Sequence, residues 1–166
     1  MLAFRRWYEA FLEWVVIVLM ALLAVVVTAG VAFRYTGYSL VWYDEVATIL
    51  LAWVTFYGSA LAVLKHAHMG VPELVRKLPL NLRVAATILA QAATMAFYVL
   101  LAWTGYTILE ILASDTMVSL PSVSIAVPNS VIPISAVLIM IAQLLVFPEV
   151  LDEARRGDIV KAEELV

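Results

Sequence analysis

The side chains able to do chemistry in this 166-residue chain gather at the ends of long apolar runs. They are His66 and His68, the acidic pair Asp44–Glu45, and a line of small and hydroxyl-bearing residues between them. Two histidines two positions apart at a helix end point to different sides, so they do not make the facing axial pair of a bundle haem. A zinc site needs a third and a fourth ligand, and the neighbourhood adds only Glu73. There is no cysteine, hence no thiol or disulfide chemistry. No Ser–His or acid dyad falls inside an apolar run, where an intramembrane protease needs one. No Asp, Glu, Lys, Arg or His lies in the middle of such a run either. There a charge costs about 2.5–3.5 kcal/mol and usually marks a proton or ion path. Neither an enzyme nor a self-sufficient pump is expected, and no cofactor, metal or nucleic acid is called for.

The line of small residues is the more informative feature. Glu45, Thr48, Ala52, Thr55, Ser59, Ala62 and His66 are spaced three and four apart and share one face of a helix, while Leu50, Trp53, Tyr57, Leu61 and Leu64 lie off it. A helix facing only lipid has no use for such a seam. Small residues let another backbone approach, and hydroxyls can bond across the gap. The seam either packs this helix on the chain's other helices or receives a partner protein.

What positions these residues is a membrane fold. Sixty-five per cent of the chain is hydrophobic and its mean hydropathy is +1.02, far outside the range of water-soluble domains. The fold class expected is an all-α membrane protein, a single domain over 1–166 with four transmembrane helices near 15–33, 46–64, 84–109 and 130–147. The run 46–64 has nineteen uncharged residues and spans about 28 Å as a helix, close to the bilayer hydrocarbon. Nine of the ten Lys and Arg precede the first span, lie between the second and third, or follow the fourth; only Arg34 does not. The positive-inside rule therefore places both termini and the 65–83 loop in the cytoplasm.

Two amphipathic segments are expected to lie in the headgroup region. Residues 3–14 carry Phe4, Trp7, Tyr8 and Phe11 on one side and Arg5, Glu9 and Glu13 on the other; in 71–78, Val71, Leu74, Val75 and Leu78 oppose Glu73, Arg76 and Lys77. Arg5, Arg6, Trp7, Arg76 and Lys77 are the expected phospholipid contacts. A secretory signal is the other reading of the N-terminal end, with Gly30 and Ala32 resembling a cleavage site. The length of the apolar run and the acids Glu9 and Glu13 weigh against it. On the outer side, Tyr35, Tyr38, Trp42 and Tyr43 form an aromatic belt, Ser39 suits an N-cap, and Arg34 is within reach of Asp44 and Glu45. Gln91, near mid-membrane, is expected to hydrogen-bond a neighbouring helix. Pro133 should kink or shorten the first turn of the last span, and 149–166 reads as a charged cytoplasmic tail.

Arg34-Tyr35, Trp42-Tyr43-Asp44-Glu45, Trp53, Gly58, His68-Met69-Gly70-Val71, Leu78-Pro79 and, later, Pro133-Ile134-Ser135 follow one another in an order and spacing that resembles a known family. It is the small membrane subunit of the TRAP transporters, the tripartite ATP-independent periplasmic carriers. The family's first half reads Arg-Tyr, Trp-x-acid-Glu, an apolar helix with a Trp and a Gly, His-(Ile/Met)-x-Val and Leu-Pro. The resemblance implies an accessory, stator-like subunit of a sodium-coupled carboxylate transporter in the bacterial inner membrane. It implies stable pairing with a large elevator-type membrane subunit and transient contact with a periplasmic substrate-binding protein. A membrane-anchor subunit of an electron-transfer or enzymatic complex is the alternative from a different class.

Overall fold

The computed structural model describes residues 2–38, 40–65 and 79–156, without the side chains of residues 2, 3 and 156. Ser39, His66, His68, Arg76, Lys77, the 71–78 segment and the end of the tail lie outside the described residues. The elements are α1 (Leu2–Tyr35), α2 (Tyr43–Leu64), α3 (Leu80–Leu112), the short α4 (Ala126–Asn129) and α5 (Val131–Arg156). Four segments are long and apolar enough to cross a membrane, Phe4–Tyr35, Tyr43–Leu64, Leu80–Leu112 and Ala126–Arg155, the last taking in α4 and nearly all of α5. In lipid no water competes for the backbone, so even the valine-rich stretch of α1 is held helical by its own hydrogen bonds.

α1 is continuous through residue 14, so 3–14 is not a separate helix. Nothing in Glu13-Trp14-Val15 breaks a helix, and the 34 residues run for about 51 Å, longer than the hydrocarbon core. α1 stops in a Schellman turn: Tyr38 N–H donates to the Phe33 carbonyl at 3.1 Å and Gly37 N–H to that of Arg34 at 3.3 Å. Gly37 carries the left-handed φ of +84° that this turn requires. α2 opens after Trp42, with Asp44 and Glu45 in its first turn, where acids favour the helix dipole. α5 tolerates Pro133 because the missing N–H falls in its first turn. It also runs on through Pro148 to Arg156, beyond the span expected from hydropathy.

The main pairings are α1 on α2, α2 on α5, and α5 on α3, a row with α5 inside it and α3 at one edge. Accordingly α5 is buried along Val131, Ser135, Ala136, Ile139, Ala142 and Val146, whereas α3 buries fully only Gly105. Two glycines set close contacts at the end of the row where α2 begins. A Cβ on Gly30 would lie 2.2 Å from the Tyr43 ring, and one on Gly105 would lie 3.1 Å from Pro133. Tyr43 is thus a packing residue of the α1–α2 contact, while Tyr35 and Tyr38 stand exposed. The core sits toward the other end, where Tyr8 and Leu12 of α1 meet Ala60, Val63 and Leu64 of α2 and Ile139, Ala142 and Val146 of α5. Tyr8 Oη donates to the Leu138 carbonyl at 2.7 Å, tying α1 to α5 as well. Gln91 Nε2 does not make the bond expected to another helix: it is buried without a partner among the described residues.

Candidate functional site

α2 carries the candidate site, and its two ends are fixed by different chemistry. At its N-terminal end the Glu45 carboxylate accepts from Ser119 twice, from the backbone N–H at 3.0 Å and from the hydroxyl. One turn pair further in, Trp53 Nε1 donates to the Pro128 carbonyl at 3.0 Å. Together these bonds fasten the loop between α3 and α5 onto α2. An isolated bridge between Thr116 and Ser124 and the burial of Met117 shape the loop itself. The expected pairing of Arg34 with Asp44 or Glu45 does not occur among the described residues. Glu45 turns toward Ser119, and Arg34 stays exposed beside the turn.

At the other end the charges of α1 close on α2 and α5. Lys65 Nζ lies 2.5 Å from Glu13 and 3.9 Å from Glu9. The hydrogen bond and charge of Glu13 raise the Lys65 pKa above its ordinary value, so the ammonium form is favoured. Arg5 pairs with Glu149 and also donates to the Leu64 carbonyl at 3.2 Å, at the negative end of the α2 dipole. Arg5 therefore faces inward, contrary to its expected place at the headgroups. Arg6 and Trp7 are exposed.

Between these clasps runs the small-residue seam, which the described residues bury only in part. Thr48 and Thr55 are exposed; Glu45, Ala52, Ser59 and Ala62 are half-buried; the fully buried residues of α2 are Ala60, Val63 and Leu64, on a different face. Among the described residues the seam hydroxyls make no bond across to another helix. Thr48, Thr55 and Ser59 each donate to the carbonyl four residues back, at 2.8 Å. Such back-bonding satisfies a hydroxyl that has no other acceptor in reach. Gly58 stands beside this face, and a Cβ built there meets no atom within 4 Å. Glycine inside a helix costs about 0.5–1 kcal/mol relative to alanine. Gly30, Gly37 and Gly105 offset that cost through close contacts or a turn within the chain, whereas Gly58 does not.

Sequence reasoning missed Ser119, the Pro128 carbonyl and the Lys65 clasp. The spacing of Glu9 and Glu13 at one helical turn, at the same membrane side as Lys65, is the signal that could have found the clasp. Among the described residues no group of three His, Asp or Glu side chains is arranged to hold a metal ion.

The sequence profile of the family described as "Tripartite ATP-independent periplasmic transporters, DctQ component" matches residues 23–152. That stretch takes in the last third or so of α1, all of α2 to α4 and most of α5. A relative from Vibrio cholerae serotype O1, the "C4-dicarboxylate TRAP transporter small permease protein DctQ", is 29% identical over 90 residues. Those residues are 54% of this chain and 39% of the relative, so the match spans well under half of the relative's length. With four membrane-length helices and a family profile over most of its length, the chain belongs to the DctQ-component family of tripartite ATP-independent periplasmic transporters, as a small membrane subunit.

Proposed function

We propose that this chain is the fixed membrane subunit of a sodium-coupled importer of carboxylates, and that the open face of α2 is where it binds the large membrane subunit of that importer. In this reading the large subunit carries the ion and substrate sites and moves its transport domain. The present chain widens the scaffold that stays still. A periplasmic binding protein delivers the substrate at the outer side, where the 113–130 loop is fastened to α2. The substrate class follows the name of the Vibrio relative. The chain lies in the bacterial inner membrane with both termini cytoplasmic, as the cation distribution supports.

The observation that carries the reading is Gly58 in an open face whose hydroxyls bond only their own helix. In lipid, helices associate through close packing and interhelical hydrogen bonds and not through hydrophobic drive. Gly58, with Thr55 and Ala62 beside it, offers a partner backbone a close approach that the described residues leave open at Gly58. Thr55→Leu and Gly58→Leu should leave the isolated chain helical and equally heat-resistant, yet release it from a co-expressed, tagged large subunit during purification. Leu89→Ala, on the exposed side of α3, should not. Retention of both α2 variants together with loss of the α3 variant would move the interface to α3.

A further inference from the structure

α3 is the spanning helix that the fold holds least. It buries only Gly105 fully, and among the described residues the hydroxyls of Thr87, Thr94, Thr104 and Thr107 all donate to carbonyls of α3 itself. Deep in its span one polar atom stands apart: Gln91 Nε2 is buried with no hydrogen-bond partner. An amide N–H left unmet away from water is costly, and in lipid no solvent makes up for it. Because the chain itself covers Nε2, neither a headgroup nor a partner protein reaches it. The acceptor has to come from within.

The register of α3 against α5 shows which acceptor is open. Gly105, near the end of α3, meets Pro133, near the start of α5, and the two helices pack extensively as an antiparallel pair. Gly105, Tyr98 and Gln91 recur at intervals of seven and share the face of α3 on which Tyr98 packs against the core. Pro133, Met140 and Phe147 form the matching series on α5. Stepping fourteen residues from the Gly105–Pro133 contact along each helix, about 21 Å, brings Gln91 level with Phe147. The next residue is Pro148, the proline inside α5. Proline has no N–H, so the Leu144 carbonyl one turn earlier lacks its helical donor. An orphan donor on α3 and an orphan acceptor on α5 thus fall at nearly the same depth. Gln143 is a poorer partner. Each side chain leans toward the N-terminus of its own helix, so on antiparallel helices Gln91 and Gln143 lean apart.

We propose that the Gln91 amide and the Leu144 carbonyl hold a buried water between them, which accepts from Nε2 and donates to the carbonyl. The Leu144 oxygen points along α5 toward Pro148 and stops short of it, while Gln91 leans from α3 toward the Pro148 level. No direct bond joins the two groups among the described residues, and one water spans the remaining step. α3 is then fastened to α5 at two places, by shape at Gly105 and Pro133 and by polarity at this bridge. Neither the open face of α2 nor any partner protein enters into it.

The glutamines of the chain are Gln91 and Gln143, so nitrogen-15 glutamine labelling gives two side-chain amide signals, which Gln143→Leu assigns. The full chain in detergent micelles would be measured as it is and as Pro148→Ala, in which the alanine N–H meets the Leu144 carbonyl and α3 is untouched. In the natural chain the Gln91 amide should show a cross-peak to a long-lived water. Pro148→Ala should remove that cross-peak and shift the Gln91 signal upfield, leaving Gln143 in place. Thermal unfolding gives an independent reading. Gln91→Leu should lower the midpoint in the natural chain but not when Pro148→Ala is already present. A Gln91 amide without a water cross-peak in the natural chain would overturn the water site. A Gln91 signal indifferent to Pro148→Ala, or an equal loss of stability from Gln91→Leu in both backgrounds, would overturn Leu144 as the acceptor.

Discussion

At the scale of single residues, two glycines of the same apolar chain demand opposite outcomes from one substitution. Gly30→Ala places a Cβ 2.2 Å from Tyr43 Cδ2, against a ring and not the end of a flexible chain. Overpacking of this kind should destabilise the subunit by about 1–3 kcal/mol. Gly58→Ala meets nothing within 4 Å and should stabilise the isolated chain by up to about 0.5–1 kcal/mol through lower backbone entropy. Unfolding of both variants in mixed detergent, followed by circular dichroism, reads the two signs side by side. Neither glycine could be sorted from sequence, because the deciding atom belongs to a residue elsewhere in the chain or to none. Gly30 looked like part of a cleavage site; in the fold it is the notch that admits Tyr43. Arg34 illustrates the same limit. Proximity in sequence to Asp44 and Glu45 suggested a pair, but the Ser119 amide and hydroxyl, 74 residues away from Glu45, present the closer donors.

Elements were far more legible than contacts. Hydropathy and length placed four spans, since only a helix hides its own backbone in lipid and such a helix needs about twenty apolar residues. The periodicity of the α2 seam was readable too, but its orientation was not: three- and four-residue spacing defines a face without saying what lies opposite. The junction at residue 14 was misjudged because charge suggested a surface helix, whereas the charges of the first turns are paired within the fold. That pairing gives a prediction for α1. Lys65→Gln should release Glu9 and Glu13 and speed amide exchange in residues 4–13, leaving residues 20–33 unchanged by mass spectrometry. The raised Lys65 pKa sets the sign of the pH effect. The clasp contributes fully below the ordinary value of 10.5 and is lost only as pH climbs through the higher folded value, so neutral pH leaves it intact.

The whole molecule is a row of helices with one face of α2 open, belonging to a family of transporter subunits. The orientation proposed from the cation bias is checked by labelling. A cysteine at Ser122, exposed in the outer loop, should react with an impermeant thiol reagent added outside the cell; one at Ala162 should not, and the reverse pattern would invert the topology. The substrate is not legible here, because no expected span carries a charged side chain at its middle to mark an ion or substrate site. The account therefore stands on partnership. Proteoliposomes containing the large membrane subunit and supplied with the binding protein should take up a labelled C4-dicarboxylate, driven by sodium, only when this chain is present. Liposomes with this chain alone should take up none. Uptake by this chain alone, or full uptake by the large subunit without it, would contradict the proposal.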